Sequence, residues 1–145
     1  MKKLMCFLLF IPFFTIAQEY YDWSGIKEVK FYDTRNVDYN ITSIKSIPKK
    51  TKYITYKTRE WQDIMLSMST KGNDVIEEQR FTIVVEFEDG EIIPFQFLPK
   101  QKALMDLRKG HFNVVFFGIN TFDKIDNIFK KSIECLDNPN CNDVD

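Results

Sequence analysis

Large apolar residues occupy every second position over 81–87 and again over 93–97, on either side of Asp89 and Gly90. Such alternation is typical of a strand with one buried face, so the pattern predicts a β-hairpin. A two-residue turn would set the two apolar series on opposite faces, whereas a three-residue loop of Glu88, Asp89 and Gly90 sets them on the same face. We predict the three-residue loop, with Gly90 left-handed. The resulting pairs are Phe87 with Glu91, Val85 with Ile93, Ile83 with Phe95 and Phe81 with Phe97. Pro94 lacks an N–H and predicts that its strand lies at an edge or a bulge.

Weaker alternation predicts further strands on both sides of this hairpin. One covers residues 26–32, a weaker strand or two short ones cover 39–47, and another covers 51–57. The short connections among these three favour a meander. Residues 112–118 are almost continuously apolar, which predicts a strand in the middle of the sheet.

Three segments have the period of a helix. The first has an apolar stripe, with Thr58 as a possible cap and Gly72 as a possible end; the stripe is Trp61, Ile64, Met65 and Met68. Residues 99–109 predict a short second helix, with Ala103, Leu104 and Leu107 facing inward. A third begins after Thr121 and has Phe122, Ile125, Ile128, Phe129 and Ile133 on one side.

These elements predict a single α+β domain over residues 18–145. We expect an antiparallel sheet of about five to six strands with two to three helices packed mainly on one face. Neither repeats nor low-complexity stretches divide the chain.

Residues 1–17 have the pattern of a secretory signal peptide. Lys2 and Lys3 precede an apolar stretch over 4–16, and small residues lead to a predicted cleavage after Ala17. The stretch is shorter than the roughly 20 residues that span a bilayer, although a retained anchor remains the alternative. The leader and the composition resemble small exported proteins of low-GC Gram-negative bacteria. That resemblance implies a periplasmic or extracellular location, with no stable membrane span after cleavage.

Two cysteines remain after the predicted cleavage. Cys135 and Cys141 are separated by five residues, and in an exported protein this pair predicts a disulfide. A zinc site is disfavoured because it needs four ligands, and no other cysteine or histidine lies nearby in the sequence. We therefore expect no metal.

The charge of the chain disfavours nucleic acid as a partner. The net charge is −1, and no long basic block is present to neutralise phosphates. Lys49, Lys50 and Lys52 form a weak basic run at a turn, for which solubilising charge is the favoured interpretation. Dinucleotide and phosphate-binding loops are absent from the sequence, so no cofactor is expected.

The sequence contains little that favours catalysis. His111 is the one histidine, and its position at the start of a strand is explained without an acid–base role. A cluster of carboxylates at the hairpin tip allows a polysaccharide hydrolase as an alternative; its members are Glu86, Glu88, Asp89 and Glu91. Their places on an alternating strand and in a turn already account for their polarity.

Aromatic residues are the main candidates for a binding surface. Tyrosine and tryptophan are enriched where binding energy is concentrated, and the candidates are Tyr20, Tyr21, Trp23, Tyr32 and Tyr53. The alternative is that these rings cover the second face of the sheet beneath a helix. We therefore expect an exported, non-enzymatic domain that binds another envelope or secreted protein, including the role of an inhibitor. A polysaccharide partner, or a small apolar ligand in the core, remains an alternative.

Overall fold

The computed structural model describes residues 21–38, 40–70, 81–109 and 114–141. These residues form one antiparallel sheet in the order β2-β1-β4-β5-β6-β7-β3. The strands are β1 Ile26–Asp33, β2 Tyr53–Tyr56, β3 Ser69–Thr70, β4 Phe81–Phe87, β5 Ile92–Leu98, β6 Ala103–Asp106 and β7 Val114–Phe116. The helices are α1 Thr58–Leu66 and α2 Phe122–Asp137, and short 3-10 turns cover Trp23–Gly25, Ile44–Ser46 and Ile119–Thr121.

Both α-helices pack against one face of the sheet, which we call the inner face. The main core joins Trp61, Ile64 and Met65 of α1 to Ile125 and Leu136 of α2. The strands contribute Val29, Phe31, Ile54, Tyr56, Phe81, Ile83, Val85, Phe87, Ile93, Phe95, Phe97 and Leu104. The predicted α+β class, with helices on one face, is confirmed. Six strands have three or more residues, and the two-residue β3 adds a further one at an edge.

The predicted hairpin register is confirmed along β4 and β5. Phe81 lies opposite Phe97, and Val85 lies opposite Ile93. The N–H of Phe87 donates to the carbonyl of Glu91 at 2.8 Å, which closes the three-residue loop. Gly90 has φ +89°, the left-handed conformation that this loop needs.

Both predicted helix caps use their hydroxyl groups differently from the expectation. The Thr58 hydroxyl donates to the carbonyl of Lys27 at 3.0 Å, and that of Thr121 donates to the carbonyl of Gly118 at 2.7 Å. Neither accepts from the first turn of its helix. The first hydroxyl therefore joins the start of α1 to β1, and the second joins the start of α2 to the turn that precedes it. Met68 lies beyond the end of α1 but still packs on the core, and Gly72 lies outside the described residues.

The prediction of a helix over 99–109 is wrong. The N–H of Lys102 donates to the carbonyl of Pro99 at 3.3 Å, and Lys102 has φ +54°. This tight turn reverses the chain into β6, which lies between β5 and β7. All four residues of β6 are buried. A strand inside a sheet can bury both of its faces, whereas a helix packed on one side of the core buries only a stripe, so the burial of all four residues fits a strand.

The prediction that Pro94 marks an edge strand or a bulge is also wrong, because β5 lies inside the sheet and its pairings with β4 and β6 show no shift in register. The carbonyl of Pro94 accepts from the N–H of Leu107 at 3.0 Å. In an antiparallel strand the nitrogen of a residue points to the same side as its carbonyl, so the nitrogen of Pro94 faces β6. Pro94 lies opposite Leu107, one residue beyond the end of β6 at Asp106. The missing N–H therefore removes at most one hydrogen bond, at the end of the β5–β6 ladder.

The segment predicted as a weak strand over 39–47 forms no strand among its described residues. The N–H of Ser46 donates to the carbonyl of Ser43 at 3.0 Å, and the N–H of Ser43 donates back to the Ser46 hydroxyl at 3.2 Å. These local bonds compete with sheet pairing. Ile41 and Ile47 instead pack on Val84, on the face of the sheet opposite the helices. We call this the outer face.

Cys135 and Cys141 form a disulfide that joins the last turn of α2 to the residues following it. The predicted pairing is present. Nearby, the Lys52 ammonium donates to the carbonyl of Leu136 at 3.2 Å. The C-terminal end of α2 is thereby held both to its own tail and to the segment entering β2.

Candidate functional site

Tyr32 and Tyr53 form an aromatic pair on the outer face at the end of the sheet. They lie directly opposite each other on β1 and β2, with ring centroids 5.0 Å apart and planes tilted by 36°. Tyr53 is 49% exposed and Tyr32 is half-buried. The Tyr32–Tyr53 pair is the one group of exposed rings that the structure assembles from the aromatic candidates it describes.

The ladder between β1 and β2 explains why these rings are close. The N–H of Asp33 donates to the carbonyl of Lys52 at 2.9 Å, so the neighbouring pair, Tyr32 and Tyr53, is a non-hydrogen-bonded pair. Side chains approach more closely at such positions than at hydrogen-bonded ones. The register therefore brings the rings together.

The same alternation leaves backbone groups of β2 unpaired. The N–H and carbonyl groups of Tyr53 and Thr55 point away from β1, because successive residues of a strand face opposite sides. Strand β2 is the last in its sheet, and no hydrogen bond satisfies these four groups in the part of the chain that the structure describes. This row of groups is the free edge of β2.

Lys30 places a positive charge beside the aromatic pair. Its ammonium lies 5.5 Å from the centroid of the Tyr53 ring and 2.5 Å from the Glu28 carboxylate. The hydrogen bond with Glu28 raises the pKa of Lys30. Burial raises the pKa of Tyr32, an effect that the nearby Lys30 opposes. At neutral pH the surface therefore presents neutral Tyr32 beside a charged ammonium.

Apolar residues of the outer face hold Tyr32 in place. Tyr32 packs against a small apolar cluster formed by Val37, Ile41, Ile47 and Val84. A ring held by packing loses little conformational freedom when a partner binds. Tyr53 contacts Tyr32 and supplies most of the exposed aromatic surface.

The N-terminal aromatic candidates lie on the other side of the sheet. Trp23 is buried at 7% exposure against Phe87 and Phe95, and Tyr21 packs on Trp23 with ring centroids 4.9 Å apart. The structure therefore places Tyr21 and Trp23 in the inner-face core, apart from Tyr32 and Tyr53. Tyr20 lies outside the described residues.

A buried charge network accounts for the position of Tyr21. Its hydroxyl donates to the Asp106 carboxylate at 2.8 Å, and Asp106 is 0% exposed. The Arg108 guanidinium donates to both Asp106 oxygens, at 3.1 and 2.9 Å, and its backbone N–H adds a further bond at 2.9 Å. Arg108 also bonds Glu91 at 2.7 Å. Asp106 lies within the wrongly predicted helix, and no sequence signal pointed to this network.

The hairpin carboxylates do not converge on a shared site. Glu86 pairs with Lys27 at 2.5 Å, whereas Glu91 pairs with Arg108. The hydrogen bond from Lys27 lowers the pKa of Glu86, which opposes use of this group as a general acid. Within the described ranges, no group of three or more histidine, cysteine, aspartate or glutamate side chains is arranged to hold a metal. His111 lies outside those ranges.

Comparisons with known proteins leave the geometry as the guide to function. Neither a protein-family model, nor a curated protein, nor a solved structure matches this chain. A search of the described residues for a helix of sufficient length and apolar character to cross a membrane found none.

Proposed function

We propose that this protein is an exported, non-enzymatic domain that binds another envelope or secreted protein through the Tyr32–Tyr53 pair. The observation that carries the proposal is the position of Tyr53: it is 49% exposed, it contacts the Tyr32 ring, which is itself held by packing, and it lies beside the charged Lys30. The two rings form an aromatic surface that the other described residues leave partly exposed.

The chemistry of this surface suits recognition better than catalysis. Tyrosine supplies a large, stiff contact area together with a hydroxyl group, and such residues recur among those that dominate binding energy. The Lys30–Glu28 ion pair beside the rings adds polar groups of the kind found at the rim of protein interfaces. Glu86 and Glu91 of the hairpin are each paired with a cation instead of with each other.

Two features support export. Residues 1–17 have the pattern of a cleavable signal peptide. The Cys135–Cys141 disulfide fits an oxidising compartment, since the cytoplasm keeps such thiols reduced. Cell fractionation followed by N-terminal sequencing tests this part of the proposal: the expected product lies in the periplasm or medium and begins at Gln18. A cytoplasmic product beginning at Met1 would contradict it.

The binding role is tested by co-purification from the source organism. A full-length chain with a C-terminal tag is expressed in three forms: wild type, the double variant Tyr32→Ala and Tyr53→Ala, and Leu66→Ala. Leu66 is 57% exposed on α1 and serves as a control for the loss of an exposed apolar side chain. We expect one stoichiometric protein partner to be retained by the wild type and Leu66→Ala and lost by the double variant.

The alternatives give different outcomes in the same experiment. Equal recovery of the partner by the double variant would remove the Tyr32–Tyr53 pair from the binding surface. Recovery of polysaccharide without a stoichiometric protein would refute a protein partner, since exposed rings also stack on sugars. Circular dichroism of each variant establishes that lost recovery does not reflect lost folding.

A further inference from the structure

We infer that the free edge of β2 binds an extended, acidic segment of the partner, which adds to the sheet as a further strand. This inference rests on the proposed binding function and names the chemistry of the partner. It is carried by three features of the described residues: unpaired backbone groups, a concentration of positive charge and a strand held firmly from behind.

The backbone of β2 offers a template for strand addition. The N–H and carbonyl groups of Tyr53 and Thr55 point outward, and no described residue satisfies them. An extended peptide can hydrogen-bond with such a row whatever its sequence, while its alternate side chains contact the faces of the sheet. A side chain placed on the outer face would meet the exposed ring of Tyr53.

The charge around this edge selects an acidic occupant. Residues 48–59, which we call the basic segment, contain four lysines, one arginine and no acidic residue, although the whole chain has a net charge of −1. Lys49, Lys50, Lys52 and Lys57 are all exposed. Opposite charges placed across neighbouring strands are favourable, and they also speed the encounter of the two partners.

The same charge disfavours pairing between two copies of this chain. Joining β2 to β2 of a second copy would bring two basic segments together, and like charges on facing strands are destabilising. Lysines on edge strands are a common protection against such self-pairing. A partner strand rich in aspartate or glutamate would instead place carboxylates opposite the lysines, which is favourable.

The strand is held in place before any partner arrives. The hydroxyl groups of Tyr56 and Ser132 are hydrogen-bonded, which ties the inner side of β2 to α2. Lys52 bonds the carbonyl of Leu136 at 3.2 Å. Because β2 is fixed by these contacts and by its ladder with β1, an added strand has little ordering to impose on it.

Amide NMR with defined probe peptides tests the inference directly. The isotope-labelled, purified protein is titrated with a capped peptide of alternating valine and glutamate, and separately with one of alternating valine and lysine. We expect the acidic peptide to shift the amides of Tyr53 and Thr55 and to slow their hydrogen exchange. The basic peptide is expected to bind at least about tenfold more weakly at low salt.

Two matched pairs of variants separate backbone from charge. Thr55→Pro removes one outward N–H and no ladder bond, whereas Thr55→Val keeps it; we expect the first to weaken binding of the acidic peptide by about tenfold and the second to leave it unchanged. Lys49→Glu with Lys50→Glu should weaken binding, unlike Lys130→Glu with Lys131→Glu on exposed positions of α2.

Three results would overturn the inference: no shift at Tyr53 and Thr55, equal affinity for the acidic and basic peptides, or equal affinity of the two Thr55 variants for the acidic peptide. Co-purification distinguishes this failure from failure of the proposed function. If Thr55→Pro retains the partner that the Tyr32→Ala and Tyr53→Ala variant loses, the aromatic surface stands and strand addition does not. If no partner is retained by any form, the binding function itself fails.

Discussion

Asp106 is a charged residue whose side chain is fully buried, with 0% of its surface exposed. A buried carboxylate is destabilising unless charge and hydrogen bonds compensate it. Arg108 supplies the charge and three N–H groups, and Tyr21 supplies a hydroxyl. This arrangement fastens the segment before β1 to β6, two parts of the chain that are 85 residues apart.

Removal of one hydroxyl measures the strength of that connection. Tyr21→Phe leaves the ring on Trp23 and Phe95 but takes a donor from the buried carboxylate, so we expect a loss of about 2 kcal/mol in the free energy of unfolding. Urea denaturation at neutral pH measures it. Tyr53→Phe, which removes an exposed hydroxyl with no protein partner among the described residues, should cost less than about 0.5 kcal/mol. Equal costs would refute the role of the network.

Alkaline pH should weaken the fold through the same residue. Burial, followed by the hydrogen bond to Asp106, raises the pKa of Tyr21 well above its ordinary value of 10.0. The folded state therefore retains a proton that the unfolded state releases, so the stabilisation is complete below pH 10 and is lost as the pH rises beyond it. Denaturation midpoints measured upward from pH 10 should fall more steeply for the wild type than for Tyr21→Phe. Parallel profiles would contradict this expectation.

Gly90 isolates the contribution of backbone conformation. Its φ of +89° is unfavourable for other residues, yet a Cβ atom placed there meets nothing within 4 Å. Gly90→Ala should therefore destabilise by about 1 kcal/mol or more through backbone strain alone. Gly25→Ala is the control, since its Cβ would make an ordinary 3.8 Å contact with Asp22 at a conformation open to alanine. Chemical denaturation compares the two, and an equal effect would reject the strain explanation.

At the scale of elements, alternation predicted a strand register but not every strand. The β4–β5 pairing followed from the sequence because a slip of one residue would have exposed an entire apolar face. Residues 103–106 could not be assigned in this way, since the apolar run of Ala103, Leu104 and Met105 is too short to distinguish a buried strand from a helix. The turn at Lys102 decided between them, and its positive φ follows no residue rule visible in the sequence.

The candidate site was only partly visible for a related reason. Tyrosines on β1 and β2 could be named from composition, but whether two rings meet depends on which strands pair and in what register. The pairing of Tyr32 with Tyr53, and the position of Lys30 over the second ring, follow from the β1–β2 ladder. Tyr21 and Trp23 looked equally available in the sequence, and the structure places them in the core.

The free edge of β2 predicts a distinctive exchange pattern even without a partner. The amides of Ile54 and Tyr56 face β1, whereas those of Tyr53 and Thr55 face outward. Hydrogen exchange followed by NMR should therefore be slower at Ile54 and Tyr56 by about an order of magnitude or more. Uniform protection along the strand would show that the edge is covered, and uniform exposure would show that β2 is frayed.

At the scale of the whole molecule, Arg35, which follows β1 in the sequence, links the end of α2 to the sheet. Arg35 donates to both oxygens of Asp33 at 2.8 Å and to Asp137 at 2.8 Å, and its guanidinium lies 5.2 Å from the centroid of the Phe81 ring. The disulfide lies beside this contact, in the last turn of α2. One side chain therefore joins β1, β4 and α2.

Acid should release this connection in a way that reveals the contribution of Arg35. Its hydrogen bond lowers the pKa of Asp33 below the ordinary value of 3.8, so the ion pair stabilises the fold fully above that pH and is lost as the pH falls through the lower, folded value. At neutral pH we expect Arg35→Ala to cost about 1 kcal/mol, since Arg35 is partly exposed. The difference in the free energy of unfolding between the wild type and Arg35→Ala should shrink as the pH falls below 3.8.

Arg59→Ala removes an exposed arginine on α1 and controls for lost charge. Urea denaturation midpoints measured as a function of pH test the prediction. If the midpoints of the wild type and Arg35→Ala differ by the same amount at every pH, the contribution of Arg35 comes from packing on Phe81 alone.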